Sequence, residues 1–459
     1  MTDVVVVGGG PGGYAAAFRA AVRGLDVALV EADKVGGTCL HRGCIPSKSL
    51  LHVAEIAHEA SRTDLGLEIE VKGVDLPTLR DFRDHVVGTM HKGLQGIVKA
   101  RGITYHEGWG RIVEPGVVEV DVGGGRERVE ANHIVVATGS VPRTLPDVEV
   151  DGRVVVTSDH ALEVERLPER AVIIGAGAIG MEFATFWRSM GAEVTVVELL
   201  DRVLPLEDAD SSKLMQRAFR RAGIEVRTGA RVEQVVVDDG TARVSVTAAD
   251  DAEELVADTV LVAVGRRPNL ESVGAEALGI VGDGGFVAVD DFRRTSVDGV
   301  WAIGDVTPGL QLAHSAFAEG FQVADAIAGL DVTPVDDAHV PRVTYCRPEV
   351  ASVGLTEEEA RGRFDDVENT VHPLRAVAKG LIAASDGHVK LVHRGRDGET
   401  LGVHVVAPHA TDLIAEASLV TYWGAYPSEV AQVVHAHPTL SEVLGEAFLA
   451  AAGTPFHTH

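Results

Sequence analysis

Val4-Val5-Val6-Val7 runs directly into Gly8-Gly9-Gly10-Pro11-Gly12-Gly13, and an alanine-rich stretch follows from Ala15 to Arg23. That order reads as a buried parallel strand, a tight turn and a helix. A second strand, Val27 to Val30, ends in Glu31. The construction returns as Val172-Ile173-Ile174, then Gly175-Ala176-Gly177-Ala178-Ile179-Gly180, a helix to about Ser189, and a strand from Glu193 to Val197 that ends at Glu198. Gly8 to Gly175 and Glu31 to Glu198 are the same step of 167 residues. One G-x-G-x-x-G is a weak signal in a chain with 51 glycines. Two copies, each between a strand and a helix and each with a glutamate 18 residues after its last glycine, are a strong one.

Each position has a physical reason. Gly8 and Gly175 permit the tight turn, Gly10 and Gly177 let a pyrophosphate approach bare backbone, and Gly13 and Gly180 let helix pack on strand. The helix N-terminus then presents N–H groups and partial positive charge to phosphate. Glu31 and Glu198 end their strands where a carboxylate accepts ribose hydroxyls. At Glu198 the charge also repels a 2′-phosphate, which favours NAD over NADP; Leu199 and Leu200 supply no cation, and Arg202 is the nearest. The bland alternative for either glutamate is a solvated strand end. Two dinucleotide sites in one chain imply electron traffic between two cofactors, with FAD as resident store and NAD as visitor.

The bulk numbers bound the rest. A chain of 459 residues allows about three domains. Its 46% hydrophobic content supplies several cores, and its formal charge of −27 argues against nucleic acid as a partner. From Met1 to Phe18 there is no basic residue, so no signal peptide is expected; the apolar stretch Ala171 to Met181 is too short to span a membrane. A cytoplasmic protein is expected. With only three cysteines there is no disulfide scaffold.

Two of those cysteines stand close together, in Gly36-Gly37-Thr38-Cys39-Leu40-His41-Arg42-Gly43-Cys44-Ile45-Pro46-Ser47-Lys48. A helix is predicted from about Pro46 to His58. A thiol near a helix N-terminus ionises more easily, and the thiolate is the reactive form. Sulfurs this near in sequence can cycle between dithiol and disulfide, given suitable Cβ geometry. Buried unreactive thiols are one alternative. A zinc or iron–sulfur site is another, but it needs about four ligands and Cys346 is isolated, so no metal is expected. Cys346 reads as a small core residue.

These residues, with the Ala137-Thr138-Gly139 turn, Gly304-Asp305 and the C-terminal His435-Ala436-His437-Pro438-Thr439-Leu440-Ser441-Glu442, resemble the pyridine nucleotide–disulfide oxidoreductases. The likeness runs nearly the whole length, and His41-Arg42-Gly43 between the cysteines is compatible with the lipoamide dehydrogenase branch. Trp301 and Val264 depart mildly from the family pattern. The resemblance implies an α/β fold with two Rossmann-like dinucleotide-binding domains and a C-terminal α+β dimerisation domain. Residues 1–145 would open the FAD domain, 146–269 form the NAD domain, 270–336 complete the FAD domain, and 337–459 form the interface domain.

The resemblance also assigns roles. Cys44 would contact the flavin and Cys39 exchange with substrate. Lys48 and Glu182 would pair near the isoalloxazine edge, and Asp305 would bond the ribityl chain. Thr38, Lys48, Thr138, Gly139 and Gly265 join the glycines and glutamates as expected cofactor-binding residues. His437 would be the base and Glu442 its orienting acid, since thiol exchange needs a proton acceptor and imidazole titrates in range. Thr439-x-x-Glu442 also reads as a capping box. His435 reads as a packed histidine, and His457 and His459 as a frayed, solvated tail. The family further implies a homodimer in which each His437 serves the other copy's disulfide, with lipoyl domains of 2-oxoacid dehydrogenase or glycine cleavage complexes as partners. Two rivals remain: reduction of a small disulfide such as glutathione or mycothione disulfide with NAD(P)H, and a redox sensor that has lost turnover.

Overall fold

A computed structural model of the chain describes residues 1–249, 251–271, 273–395 and 398–458. They fall into two compact units: Met1–Leu50, Asp75–Arg143 and Gly265–Asp337 in the first, and Leu51–Val74, Thr144–Val264 and Ala338–His459 in the second.

The first unit is built on a seven-stranded sheet. Strands Thr104–Glu107, Val27–Glu31, Thr2–Val7 and Arg126–Val136 lie side by side in parallel, Val300–Ala302 pairs parallel to the last of these, and Val117–Asp121 and Trp109–Glu114 continue antiparallel. Val4 to Val7 are wholly buried, as the unbroken valine run requires of a strand covered on both faces. One face carries the helix Pro11–Val22, which packs on the helix Ala313–Ile327. Their contact is close: a Cβ on Gly320 would stand 2.6 Å from the Gly12 carbonyl oxygen. Arg19 and Arg23 both pair with Asp325 at 2.7 Å. Arg266–Pro268, within the 146–269 span that the resemblance gives to the NAD domain, pairs with Ser140–Pro142 inside this unit.

The second unit contains the repeat of the nucleotide fold. Ile224–Arg227, Glu193–Val197, Arg170–Ile174, Thr259–Val262 and Val155–Val156 form a five-stranded parallel sheet. The antiparallel strands Ala230–Asp238, Thr241–Ala248 and Asp251–Ala257 share its core through Val244, Val246 and Val260. The C-terminal third forms an antiparallel sheet in the order Arg342–Thr344, Glu349–Gly354, Thr400–Ala407, His388–Arg394, Val367–Pro373. Helices Ala410–Tyr422 and Glu442–Ala451 bury Ile414, Leu444 and Phe448 against it.

Candidate active site

The two glycine turns are built alike, down to single hydrogen bonds. The Gly8 N–H donates to the Val30 carbonyl at 2.8 Å, and the Gly175 N–H donates to the Val197 carbonyl at 2.8 Å. Both glycines hold φ near +107°, at +108° and +106°, where a side chain is strained. A Cβ on Gly13 would stand 1.8 Å from the Gly8 carbonyl oxygen, and one on Gly180 would stand 2.0 Å from that of Gly175. By contrast, nothing lies within 4 Å of the Cβ positions of Gly10 and Gly177. Those two positions face open space, the cradle a pyrophosphate needs, at helix N-termini with no side-chain cap. The residues present therefore fit two dinucleotides.

The strand-end glutamates close each turn. Glu31 Oε2 accepts the Gly9 N–H at 2.6 Å and Oε1 that of Asp33 at 2.8 Å. Glu198 Oε2 accepts the Ala176 N–H at 2.6 Å and Oε1 that of Leu200 at 2.9 Å. Neither is the solvated strand end the sequence left open: Glu31 is part-buried and Glu198 buried. Burial pushes the Glu31 carboxyl above its ordinary range, opposed by the backbone donors of Asp33 and Gly9.

The cysteine segment packs onto the first turn. The Gly36 N–H donates to the Gly9 carbonyl at 2.8 Å, and a Cβ on Gly37 would stand 2.6 Å from Gly10 Cα. Thr38 and Cys39 ride on a short helix, Gly37–Arg42, and Cys44 itself opens the next, Cys44–Ala60. The second helix thus begins two residues before Pro46, and Cys44 sits at its N-terminus. Both cysteines stand as thiols and engage one another. The bond to Cys44 and burial push the Cys39 thiol up, and the nearby Lys48 charge pulls it the other way. Lys48 Nζ lies 3.4 Å from Ser47 Oγ. His41 Nε2 reaches the Val35 carbonyl at 3.0 Å, and Arg42 pairs with Asp33 at 3.0 Å, which ties the intercysteine residues to the turn after Glu31.

Tyr14, unremarked in the sequence, stands beside both sulfurs. Burial, and then the charges of Cys39 and Cys44, push its phenol up to about 12. The phenol therefore stays protonated at neutral pH.

Thr138 lies beside the first glycine turn, where a Cβ on Gly8 would stand 3.0 Å from its Cα. Thr138 Oγ1 donates to the Asn269 carbonyl at 2.6 Å, and the Asn269 N–H donates to the Gly139 carbonyl at 2.9 Å. Gly265 accepts from the Arg143 N–H at 3.0 Å, and Arg266 Nε donates to Ser140 Oγ at 2.7 Å. Ser140 Oγ in turn donates to Asp305 Oδ2 at 2.5 Å. Ser140 and Arg266 thus orient Asp305, a relation visible only once two distant short strands pair.

In the second unit, Glu182 is 7% exposed and its carboxylate accepts the Tyr345 N–H at 3.1 Å. Cys346, beside it in sequence, is buried and donates to the Pro348 carbonyl at 3.2 Å, as a core thiol does.

The C-terminal segment brings His437 and Glu442 together. His437 Nδ1 and Glu442 Oε1 lie 2.6 Å apart, and Glu442 Oε2 accepts the Thr439 N–H at 2.7 Å. Only that half of the capping box forms. The Thr439 hydroxyl donates to the Ala436 carbonyl, and the helix begins at Glu442 with Ser441 as its cap. Burial pushes the Glu442 carboxyl up, but the Thr439 N–H and the His437 ring outweigh it and hold it below the ordinary range. His435 is packed as expected: Nε2 meets Glu416 at 2.8 Å, and the ring lies where a Cβ on Gly445 would go. His457 is not a frayed end. Its ring and its N–H both engage the Glu446 carboxylate, at 2.8 and 3.2 Å, so a buried carboxylate holds the tail down. His459 lies outside the described residues.

Known proteins share this architecture. The family described as pyridine nucleotide-disulphide oxidoreductase matches residues 2–320, and that family's dimerisation domain matches residues 340–448. The dihydrolipoyl dehydrogenase of Bacillus subtilis is 42% identical, covering 99% of this chain and 99% of its own. The dihydrolipoyl dehydrogenase of Mycobacterium tuberculosis is 41% identical, with 97% of each covered. Among solved structures, LpdA from Mycobacterium tuberculosis superposes with a TM-score of 0.91 at 28% identity, covering 98% of this chain and 99% of that one. The HOCl-induced flavoprotein disulfide reductase RclA from Escherichia coli, solved as a Cu(II) complex, gives 0.87 at 26%, covering 98% and 99%. Twin glycine turns, a cysteine pair seated on the first of them and a full-length likeness to these proteins have one explanation: this chain belongs to the pyridine nucleotide-disulphide oxidoreductases.

Proposed function

We propose that the chain oxidises protein-bound dihydrolipoamide to lipoamide with NAD+, through a Cys39–Cys44 disulfide and FAD. The observation that carries this reading is the seating of the cysteine segment on the first glycine turn, Gly37 against Gly10, beside the cradle that would hold a flavin dinucleotide. The full-length likeness to dihydrolipoyl dehydrogenases supports the choice of substrate. The first turn with Glu31, Thr38, Lys48, Thr138, Gly139 and Asp305 would hold FAD. The second, with Glu198, would hold NAD+. When bound, the two cofactors supply a two-electron acceptor and a hydride acceptor.

The chain's own residues do the thiol chemistry. With Nδ1–H donated to Glu442, His437 keeps Nε2 as its basic nitrogen and takes the proton from a substrate thiol. The thiolate attacks Cys39 Sγ of the disulfide; the S–S bond breaks and Cys44 leaves as thiolate. The second substrate thiol then displaces Cys39, closing the lipoamide ring and leaving the enzyme dithiol. Lys48 favours thiolate at the pair.

We assign residues 1–145 and 270–336, with the short segment 265–269 that pairs with them, to the FAD domain, 146–264 to the NAD domain and 337–459 to the interface. The dimerisation-domain match supports a homodimer, and exposed Trp423 (71%) and Val434 (93%) suit a surface that a second copy covers. In that dimer each His437 serves the other copy's disulfide, and lipoyl domains deliver the substrate. Among the described residues no helix is long and apolar enough to cross a membrane. A cytoplasmic setting fits a redox pair that must cycle through the dithiol.

Steady-state assay tests the reading. Dihydrolipoamide with NAD+ should turn over rapidly. Turnover only of glutathione or mycothione disulfide with NADPH would overturn it in favour of the small-disulfide reductases.

A further inference from the structure

Four polar residues form a row across the C-terminal sheet. Arg342 is paired with Ser352, Ser352 with His404, and His404 with Lys390 in direct cross-strand register, so their side chains share one face. That face is covered: Ser352 and His404 are fully buried and Lys390 is 1% exposed. A polar row in a sheet core costs desolvation unless it meets partners. His404 Nε2 meets the Leu355 carbonyl at 3.0 Å, and most partners of the other three come from residues 207–210. Ser352 Oγ donates to Glu207 Oε2 at 2.5 Å, and Arg342 Nε lies 3.3 Å from Glu207 Oε1. Lys390 Nζ meets Asp208 at 2.9 Å, Asp210 at 2.7 Å and Glu357 at 2.7 Å.

Three residues upstream of Glu207, Leu204 is buried at φ +45°, a region that side-chain-bearing residues avoid. It is held there by three bonds. Its carbonyl accepts the Glu207 N–H at 2.9 Å and the Ser212 hydroxyl at 3.2 Å, and its N–H donates to the Ala176 carbonyl at 2.9 Å. Ala176 is the middle of the second glycine turn, and its own N–H is the one Glu198 accepts. A continuous path therefore runs from the sheet row through Glu207 and Leu204 to the turn.

We propose that Arg342, Ser352 and Lys390 are positioning residues for NAD+: they lock residues 204–208, which fix the Ala176 peptide and with it the pyrophosphate turn. They act electrostatically as well. Two adjacent carboxylates, Glu207 and Asp208, would oppose a pyrophosphate, and Arg342 and Lys390 offset part of that charge. This rests on reading Gly175 to Gly180 as the NAD+ turn.

The test is NADH titration of the FAD-loaded, full-length enzyme at 25 °C, with the KM values for NAD+ and dihydrolipoamide. Ser352→Ala deletes one hydroxyl, and Lys390→Met removes the charge at similar length. Each should weaken NADH binding and raise the NAD+ KM by about tenfold, the scale of one lost buried hydrogen bond, with flavin content and the dihydrolipoamide KM unchanged. Should Lys390→Met fail to fold, Ser352→Ala still decides the matter. Gly177→Val, whose side chain enters open space, is the control for the turn. Lost binding in that control with near-normal binding in the row variants overturns the row alone, even if their thermal stability falls. Normal binding in all three overturns both the row and the assignment of the turn.

Discussion

His437 Nδ1 stands 2.6 Å from Glu442 Oε1, while the other oxygen of that carboxylate holds the Thr439 N–H at 2.7 Å. The acid is thus anchored to backbone before it orients the ring, which fixes the tautomer with Nε2 basic. Replacing His437 by Gln should lower kcat for dihydrolipoamide oxidation by ~10²–10⁴-fold, the usual contribution of a general base. Dimerisation, read by size-exclusion chromatography, should be unaffected. A near-wild-type rate would remove His437 from the mechanism.

Cys39→Ser separates flavin binding from thiol exchange. The cysteine segment is held on the first glycine turn by the Gly36 N–H and by the bare Cα of Gly37, and neither contact uses the thiol. Bound flavin, read from visible absorbance per chain, should therefore remain stoichiometric while oxidation of dihydrolipoamide is lost. Undiminished activity in this variant would show that electrons do not pass through the disulfide.

What the sequence made legible was local and repeated. The step from Gly8 to Glu31 and from Gly175 to Glu198 forecast two strand–turn–helix units, and the folded chain repeats even their hydrogen bonds. Cys39 and Cys44 announce themselves by spacing, and His437 and Glu442 by lying five apart. What stayed hidden depends on contacts between distant segments. Tyr14 reads as an ordinary aromatic on a helix until folding brings up sulfurs 25 and 30 residues on. Arg266 and Ser140, 126 apart, meet only through a short antiparallel pair. Pro46 favours the first helical turn and so predicts a start that leaves Cys44 outside, whereas the helix begins at Cys44. It was Gly43, at φ −151° and ψ −116°, that broke the chain between two helices. His457 reads as a frayed end because its partner, Glu446, lies 11 residues back on the last helix.

The proposed role of Glu198 is to choose NAD+ over NADP+. Both of its oxygens are engaged by backbone N–H groups, so the carboxylate is held fixed at the strand end. Glu198→Gln keeps the shape and removes the charge that opposes a 2′-phosphate. The ratio of kcat/KM for NAD+ over NADP+ should fall by at least about tenfold, since a like-charge contact at a few ångströms near a protein surface costs more than 1.4 kcal/mol. An unchanged ratio would place discrimination elsewhere, with Arg202 the next residue to test.

His388 should set part of the acid sensitivity of the fold. It is 7% exposed on the C-terminal sheet, with Nε2 3.4 Å from the buried Ser211 hydroxyl. Burial lowers its pKa from 6.5 to about 4, against the pull of Asp210 and Asp208. Between those values the unfolded imidazole binds a proton that the folded one refuses, so stability rises with pH across the window. The contribution is complete above pH 6.5, is lost as pH falls toward 4, and changes no further below that. At full strength it is on the order of 3 kcal/mol. Thermal midpoints measured across this range should decline as pH falls in the wild-type enzyme and decline less steeply in His388→Asn. Equal slopes in the two proteins would show that another group carries the acid response.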